Sequence, residues 1–149
     1  MQINFAAQNA NSLPLTLLSQ DTFDVWLKTQ AAHVKDWVKA NGFTASFGTA
    51  LVVPGEGGQI AGAIVGNGDE AARRRNRFAL AGARTKLPAL TFHLECDLEG
   101  AELNAELLGW LLAGYRFDRY RAQKAKIAEL ICPDAVDSSE LEIIAAGEA

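Results

Sequence analysis

The stretch AELNAELLGWLLAGYRFDRYRAQ, residues 101–123, is the longest helical pattern in the chain, and its apolar surface is too wide for a helix lying in open solvent. Leu103, Leu107, Trp110, Leu111 and Gly114 fall on one stripe, and Leu108, Leu112 and Tyr115 widen it well past the usual arc. Such a helix must be covered on more than one side, which calls for layered packing against a sheet and other helices. It also carries Gly109 and Gly114. Each costs about 1 kcal/mol relative to alanine in a helix interior. Packing has to recover that loss, and a missing side chain lets the helix lie close against the sheet or a neighbouring element.

The rest of the chain supplies the layers. SLPLTLLS, with leucines at 13, 15, 17 and 18, reads as a buried strand, and MQINF before it alternates weakly enough to suit a sheet edge. From Asp21, Phe23, Trp26, Leu27, Val34, Trp37 and Val38 recur at helical spacing until Gly42 stops the pattern, as two consecutive helices or one bent helix. FTASFGTALVVP and GGQIAGAIVGNG are β-compatible runs around the turn-rich GEGG, a hairpin signal. DEAARRRNRFALAGA is helix-compatible throughout, with Asp69 and Glu70 at the end where the helix dipole favours carboxylates. ALTFHLECD and AKIAELICP are strands on either side of the long helix, and DSSELEIIAAGEA begins a last helix behind Asp137 or Ser138 as N-cap. Strands and helices interleave, which predicts an α/β fold with a mixed sheet and helices on both faces.

A net charge of −4 argues against nucleic acid or an anionic membrane as the main partner. No apolar run reaches the ~18 residues that a membrane span needs. Cys96 and Cys132 lie far apart without a CxxC pattern, so they read as buried structural thiols, and a reducing, cytoplasmic setting suits them.

Candidate chemistry is sparse. The carboxylates of DLEGAELNAE look like a solvated helix start, with nothing to tune them as an acid/base pair. His93 and Cys96, three apart on a strand, point to opposite faces and do not readily share a metal ion, and His33 has no neighbouring ligand type. GxSxG and GxxxxGK are missing, and GNGDE lacks the third glycine of a dinucleotide turn. RRRNR, residues 73–77, is a local basic patch, but a helix spreads it around the cylinder and Asp69 and Glu70 can pair with it at i+4 spacing. These readings assign no catalytic, cofactor-binding or metal-binding residue to the chain.

One feature resists a purely local account. Beyond Gly114 the long helix alternates aromatics with arginines: Tyr115, Arg116, Phe117, Arg119, Tyr120 and Arg121. Positive charge complements the helix carboxyl end by ~0.3–1 kcal/mol per residue. That does not explain the interleaved rings, which suit a surface docking onto protein. Tyr115, Arg116, Arg119 and Tyr120 are therefore the candidate contact residues.

LLGWLLAGYRFDRYR, followed by AELICPDAVD and SSELEIIAAGEA, resembles the end of the amino-terminal domain of the leucyl aminopeptidase (cytosol aminopeptidase) family of two-metal exopeptidases. Trp110, Gly114, Tyr115, Phe117 and Tyr120 stand where that family's aromatic helix has its W, G, Y, F and Y, with Ala113 in place of the usual leucine or other small or apolar residue. The resemblance covers essentially the whole chain and implies a macro-domain-like three-layer fold. It further implies an amino-terminal domain over 1–137, the start of the interdomain helix over 138–149, and a catalytic domain absent from this chain. The NTDAEGRL signature and the lysine-and-aspartate segment that bind two divalent metal ions, zinc or manganese, in that family are not present. The implied role is noncatalytic, in assembly or in access to the active site of a homo-hexameric parent, with the parent's own catalytic domain as partner and Tyr115, Arg116, Arg119 and Tyr120 at the junction. The alternative is a stand-alone macro-like module for a small ligand such as a nucleotide, cradled by GNGD. Leu141, Ile143, Ile144 and Ala145 are too large an apolar group for a free tail, so 138–149 is expected to be held only weakly in the isolated chain or to pack against a symmetry-related copy.

Overall fold

The computed structural model of the chain describes residues 5–7, 10–76, 78–120, 127–133 and 136–148, the side chains of 115–120 and 148 excepted. Its sheet has five strands: β1 (Leu13–Ser19), β2 (Ala50–Pro54), β3 (Ile60–Gly68), β4 (Thr91–Glu95) and β5 (Glu129–Ile131). They lie in the order β2-β3-β1-β4-β5, with β1 central and parallel to both neighbours, β5 parallel to β4, and β2 antiparallel to β3. The sheet is mixed, as the interleaving predicted. Ala6, the residue after MQINF, adds a parallel bridge to Ile131 of the edge strand β5, its amide donating to the Leu130 carbonyl at 2.8 Å; residues 1–4 of MQINF lie outside the described residues.

The helices are α1 (Gln20–Lys28), α2 (Ala32–Ala40), α3 (Glu70–Arg75), α4 (Ala79–Arg84), α5 (Gly100–Tyr120) and α6 (Ser138–Glu148). Strand alternation divides the core between them. Leu15, Leu17, Ala63, Val65 and Phe92 face α4, α5 and α6, where Leu80, Leu107, Trp110, Leu111, Leu141 and Ala145 meet them. The intervening Leu18 and Ile64 face the other way, onto Phe23 of α1 and Val34 and Val38 of α2. Three layers result, with a helix layer on each side of the sheet.

Local chemistry explains most element ends. Ser19 and Thr22 form a capping box at α1, each side chain serving the other's amide. The pattern from Asp21 to Gly42 resolves into two helices, and α2 stops where Gly42, at φ 66°, lets the Phe43 amide reach back to the Val38 carbonyl at 3.3 Å. Asp137 is the cap of α6, its carboxylate accepting from the Glu140 amide at 3.1 Å. Leu141 and Ala145 of that helix are buried in this domain's own core, while Ile143 and Ile144 are exposed. The apolar group therefore finds half of its cover within the chain.

Three segments differ from the sequence reading. The predicted strand 43–54 keeps only β2, because Ala45 at φ 63° turns the chain before it can join the ladder. AKIAELICP likewise yields only the short β5, with 125 and 126 outside the described residues. The helix-compatible stretch 69–83 breaks into α3 and α4: Asn76 is extended, and Phe78 sits at φ 67° and ψ 63°, a left-handed conformation inside the pattern. The glycines of α5 explain the break. A Cβ on Gly109 would stand 2.7 Å from the Phe78 Cβ, and one on Gly114 would stand 2.5 Å from Nη1 of Arg84. Both gaps are filled by the α3–α4 turn and α4, so the neighbour that comes close is a helix and not the sheet.

The Gly114 gap holds a buried guanidinium. Arg84 lies 4.6 Å over the Trp110 ring and donates to the Trp110 carbonyl at 2.6 Å and the Ala128 carbonyl at 2.9 Å. Gly114→Leu should therefore destabilise the domain by about 1–3 kcal/mol through overpacking, although removing a helical glycine alone would gain about 1 kcal/mol. Equilibrium urea unfolding checks the sign, and a variant as stable as the parent would refute the fit.

Candidate functional site

The carboxyl ends of β1, β3 and β4 send the chain to different faces: β1 runs into α1 on one side, and β3 and β4 lead to α3 and α5 on the other. Open α/β sheets form their ligand crevices at such a divergence. Here a cleft of about 510 Å³ opens beside the end of β3, lined by Phe47, Asn67, Arg73, Asn76, Phe78, Leu98, Glu102, Ala105, Glu106 and Leu108. Its volume falls within the usual ~300–1,000 Å³ of small-molecule sites, and most of its lining is apolar.

The polar groups of the cleft are placed by backbone contacts. Asp69 caps α3 by accepting from the Ala72 amide at 2.8 Å. That turn aims Arg73 back at the strand end, where Nη1 donates to the Gly68 carbonyl at 2.7 Å and the Asn67 carbonyl at 3.4 Å. Asn76 bonds the Ala72 carbonyl at 3.0 Å. From α5, Glu106 reaches the start of α4, accepting from the Leu80 amide at 2.9 Å and the Ala79 amide at 3.2 Å. A carboxylate supplied by another helix thus caps α4, whose own first residues lack a side-chain cap.

Burial pushes the Glu106 carboxyl above the usual range, and the amides of Leu80, Ala79 and Phe78 pull it back. With the folded value raised, the folded chain binds more protons than the unfolded one. This group's contribution is therefore present below the ordinary glutamate pKa and is lost as pH rises through the raised value. Urea midpoints across pH 4–8 should accordingly fall for the parent relative to Glu106→Gln as pH increases. A parent that gains on the variant over the same range would show instead that the amide donors dominate.

GNGD is poorly suited to cradle an anion. The Gly66 amide donates to the Thr49 carbonyl and the Gly68 amide to the Ala45 carbonyl, both at 2.9 Å, so these two donors are spent within the fold. Glu102 and Glu106 beside the cleft oppose a phosphate as well. The basic run nearby is also dispersed: Arg73 serves the strand end, Arg74 pairs with Glu70 at 2.5 Å on the open surface, Arg75 is exposed, and residue 77 lies outside the described residues. Such an exposed pair contributes about 0–1 kcal/mol.

The remaining sequence candidates lie elsewhere. His93 shares a hydrogen bond with Ser12 through Nδ1 at 2.9 Å and has the Glu95 carboxylate 4.0 Å from Nε2, with the Glu95 side chain 59% exposed. The order of groups imitates a catalytic triad, but the carboxylate is too far and too wet to orient the ring. Cys96 packs on the opposite core, its thiol pushed up first by burial, then by Asp97 and Glu106, against the Leu98 amide, so it is a poor nucleophile. Both cysteines are half-buried thiols, and neither is in a disulfide. Among the described residues no group of three His, Cys, Asp or Glu could hold a metal ion, and no helix is long and apolar enough to cross a membrane. The backbone of α5 runs through Tyr120, but the side chains of Tyr115, Arg116, Arg119 and Tyr120 lie outside the described residues. Asn67, Arg73, Phe78, Glu102 and Glu106 were not singled out as a site in the sequence. Their one local signal is the strand-end GNGD followed by a helix.

Comparison with known families decides the lineage. The family model described as "M17 aminopeptidase, N-terminal domain" matches residues 13–133. The chain belongs to this family. Comparison with curated protein sequences returns no match. Among solved structures, the cytosol aminopeptidase from Coxiella burnetii superposes on this M17 N-terminal domain with a TM-score of 0.73 at 26% identity, covering 89% of this chain and 29% of that one. The bottromycin maturation enzyme BotP in complex with Mn shares the fold with a TM-score of 0.51 at 22% identity, covering 93% of this chain and 29% of that one. The M17 N-terminal domain thus spans less than a third of either relative.

Proposed function

We propose that this M17 N-terminal domain serves a leucyl-aminopeptidase-like enzyme, which removes amino-terminal residues from peptides, as a noncatalytic unit in assembly or active-site access. The observation that carries this reading is the family match over 13–133, combined with coverage of only 29% of the Coxiella burnetii cytosol aminopeptidase. In this reading 1–137 is the domain proper and 138–149 begins the interdomain helix. Ile143 and Ile144, 73% and 41% exposed on α6, support it as apolar surface suited to a following domain. Tyr115, Arg116, Arg119 and Tyr120 would face that partner. Two divalent metal ions, zinc or manganese, would be held by the partner and supply its hydrolytic chemistry. We also assign the parent a hexameric assembly, a cytoplasmic location and, for this domain, a macro-like architecture.

The isolated chain should accordingly show no turnover of a leucine anilide with zinc, manganese or magnesium added, since two-metal hydrolysis needs a ligand set for both ions. Metal-dependent hydrolysis by a pure sample, abolished by chelation, would overturn the noncatalytic reading. Sequencing the reading frame past residue 149 is the second test: a downstream two-metal signature supports the reading, and an immediate stop codon overturns it.

A further inference from the structure

The cleft beside β3 contains a polar side chain whose bonding capacity is unused. Asn67 is only 7% exposed and lines the cleft, yet its amide makes no side-chain hydrogen bond among the described residues. Among the described residues the fully buried side-chain polar atom without a partner is Trp110 Nε1, so the Asn67 amide keeps access to the cleft and is open to a ligand there. Its chemistry narrows the candidates. A primary amide offers a donor and an acceptor side by side, the complement of the N–H and C=O of a peptide group.

The surroundings extend the match. Arg73 lies on the Asn67 side, and its bonds to the strand-end carbonyls use Nη1, which leaves the Nη2 and Nε donors uncommitted among the described residues. The α5 side contributes Glu102, exposed and without a partner among the described residues, and Glu106, already engaged by α4. Phe47, Phe78, Leu98, Ala105 and Leu108 supply the apolar surface. A cation and an amide on one side, carboxylates on the other and apolar surface between them describe the complement of a zwitterion with an apolar body. The cleft of about 510 Å³ has room for more than a single amino acid.

We propose that this cleft binds short apolar peptides with free termini, a dipeptide or tripeptide, with Asn67 pairing the peptide group, Arg73 the carboxylate and Glu102 the ammonium. The inference rests on this chain's own residues and not on the peptidase reading, so its failure would leave that reading intact.

The test is a titration of the ¹⁵N-labelled chain with leucyl-leucine, with a chelator present to prevent hydrolysis, following the amides of Asn67, Asn76, Leu98 and Ala105. Saturable shifts at these positions are expected. Acetylating the peptide amino terminus, or amidating its carboxyl terminus, should each weaken binding about tenfold or more, the loss of one charge-assisted hydrogen bond. Glu102→Gln, a surface change that leaves the core untouched, should weaken leucyl-leucine about tenfold and leave the acetylated peptide unaffected. Asn67→Ala, if folded, should weaken both. The proposal is overturned if these amides show no saturable shift, if the capped and free peptides bind equally, if Glu102→Gln affects both alike, or if the shifts centre on Ile143 and Ile144.

Discussion

Gly66→Ala is expected to cost about 3 kcal/mol, near the upper end of what overpacking usually does. The added Cβ would collide with the Ser46 carbonyl oxygen and stand 2.5 Å from the Ala45 carbonyl carbon and 2.7 Å from its oxygen. All three are backbone atoms, so no side-chain rotation relieves the contact. Nor can the 45–49 loop move away cheaply, because the Gly48 amide donates to the Gly66 carbonyl, the Gly66 amide to the Thr49 carbonyl and the Gly68 amide to the Ala45 carbonyl. On a domain whose total stability is of order 5–15 kcal/mol, the loss is large. Gly82→Ala is the matched control: the nearest atom to its Cβ would be the Gly48 Cα at 3.9 Å, and the helical position should gain up to about 1 kcal/mol. Urea unfolding of both variants distinguishes packing from a generic effect of glycine replacement. A Gly66→Ala variant within about 1 kcal/mol of the parent would show that the loop is not held as the structure indicates.

Trp110→Ala should cost about 3–5 kcal/mol, which for a domain this size lowers the melting temperature by roughly 6–20 °C. Trp110 is fully buried and is the largest such side chain, and Arg84 lies over its ring. Removing the ring leaves a cavity and also strips one face from a buried guanidinium. Trp110→Phe separates these effects. It keeps an aromatic face for the cation and deletes Nε1, which is buried without a hydrogen-bond partner. Deleting that orphan donor offsets part of the lost volume, so the phenylalanine variant should retain more than half of the stability lost in the alanine one. Equal losses in the two variants would mean that the Arg84 contact contributes nothing.

Much of this molecule is legible in local pattern. The Leu15, Leu17 and Leu18 spacing, the helical recurrence from Phe23 to Val38, and the Asp137 and Gly42 boundaries each depend on residues a few positions apart, and each stands in the structure as predicted. The wide apolar arc of α5 likewise required a layered fold, and the mixed sheet with helices on both faces follows from it. The aromatic helix also carried enough family-specific spacing to point to the M17 lineage before any coordinates.

Tertiary structure decided what covers what. Periodicity marks a face as apolar but carries no information about the element that will meet it, so Gly109 and Gly114 announced a close approach without naming Phe78 and Arg84. The break between α3 and α4 was invisible for the same reason. Its left-handed Phe78 and the Glu106 cap on Ala79 and Leu80 join positions 27 and 26 residues apart, and no local propensity at 76–80 foretells them. The cleft follows from that break: with the pattern 69–83 run as one continuous helix, Arg73, Asn76 and Phe78 would not line the end of β3 beside Asn67. Local sequence determined the elements and their buried faces through short-range sterics and burial; long-range packing alone set the gap between them.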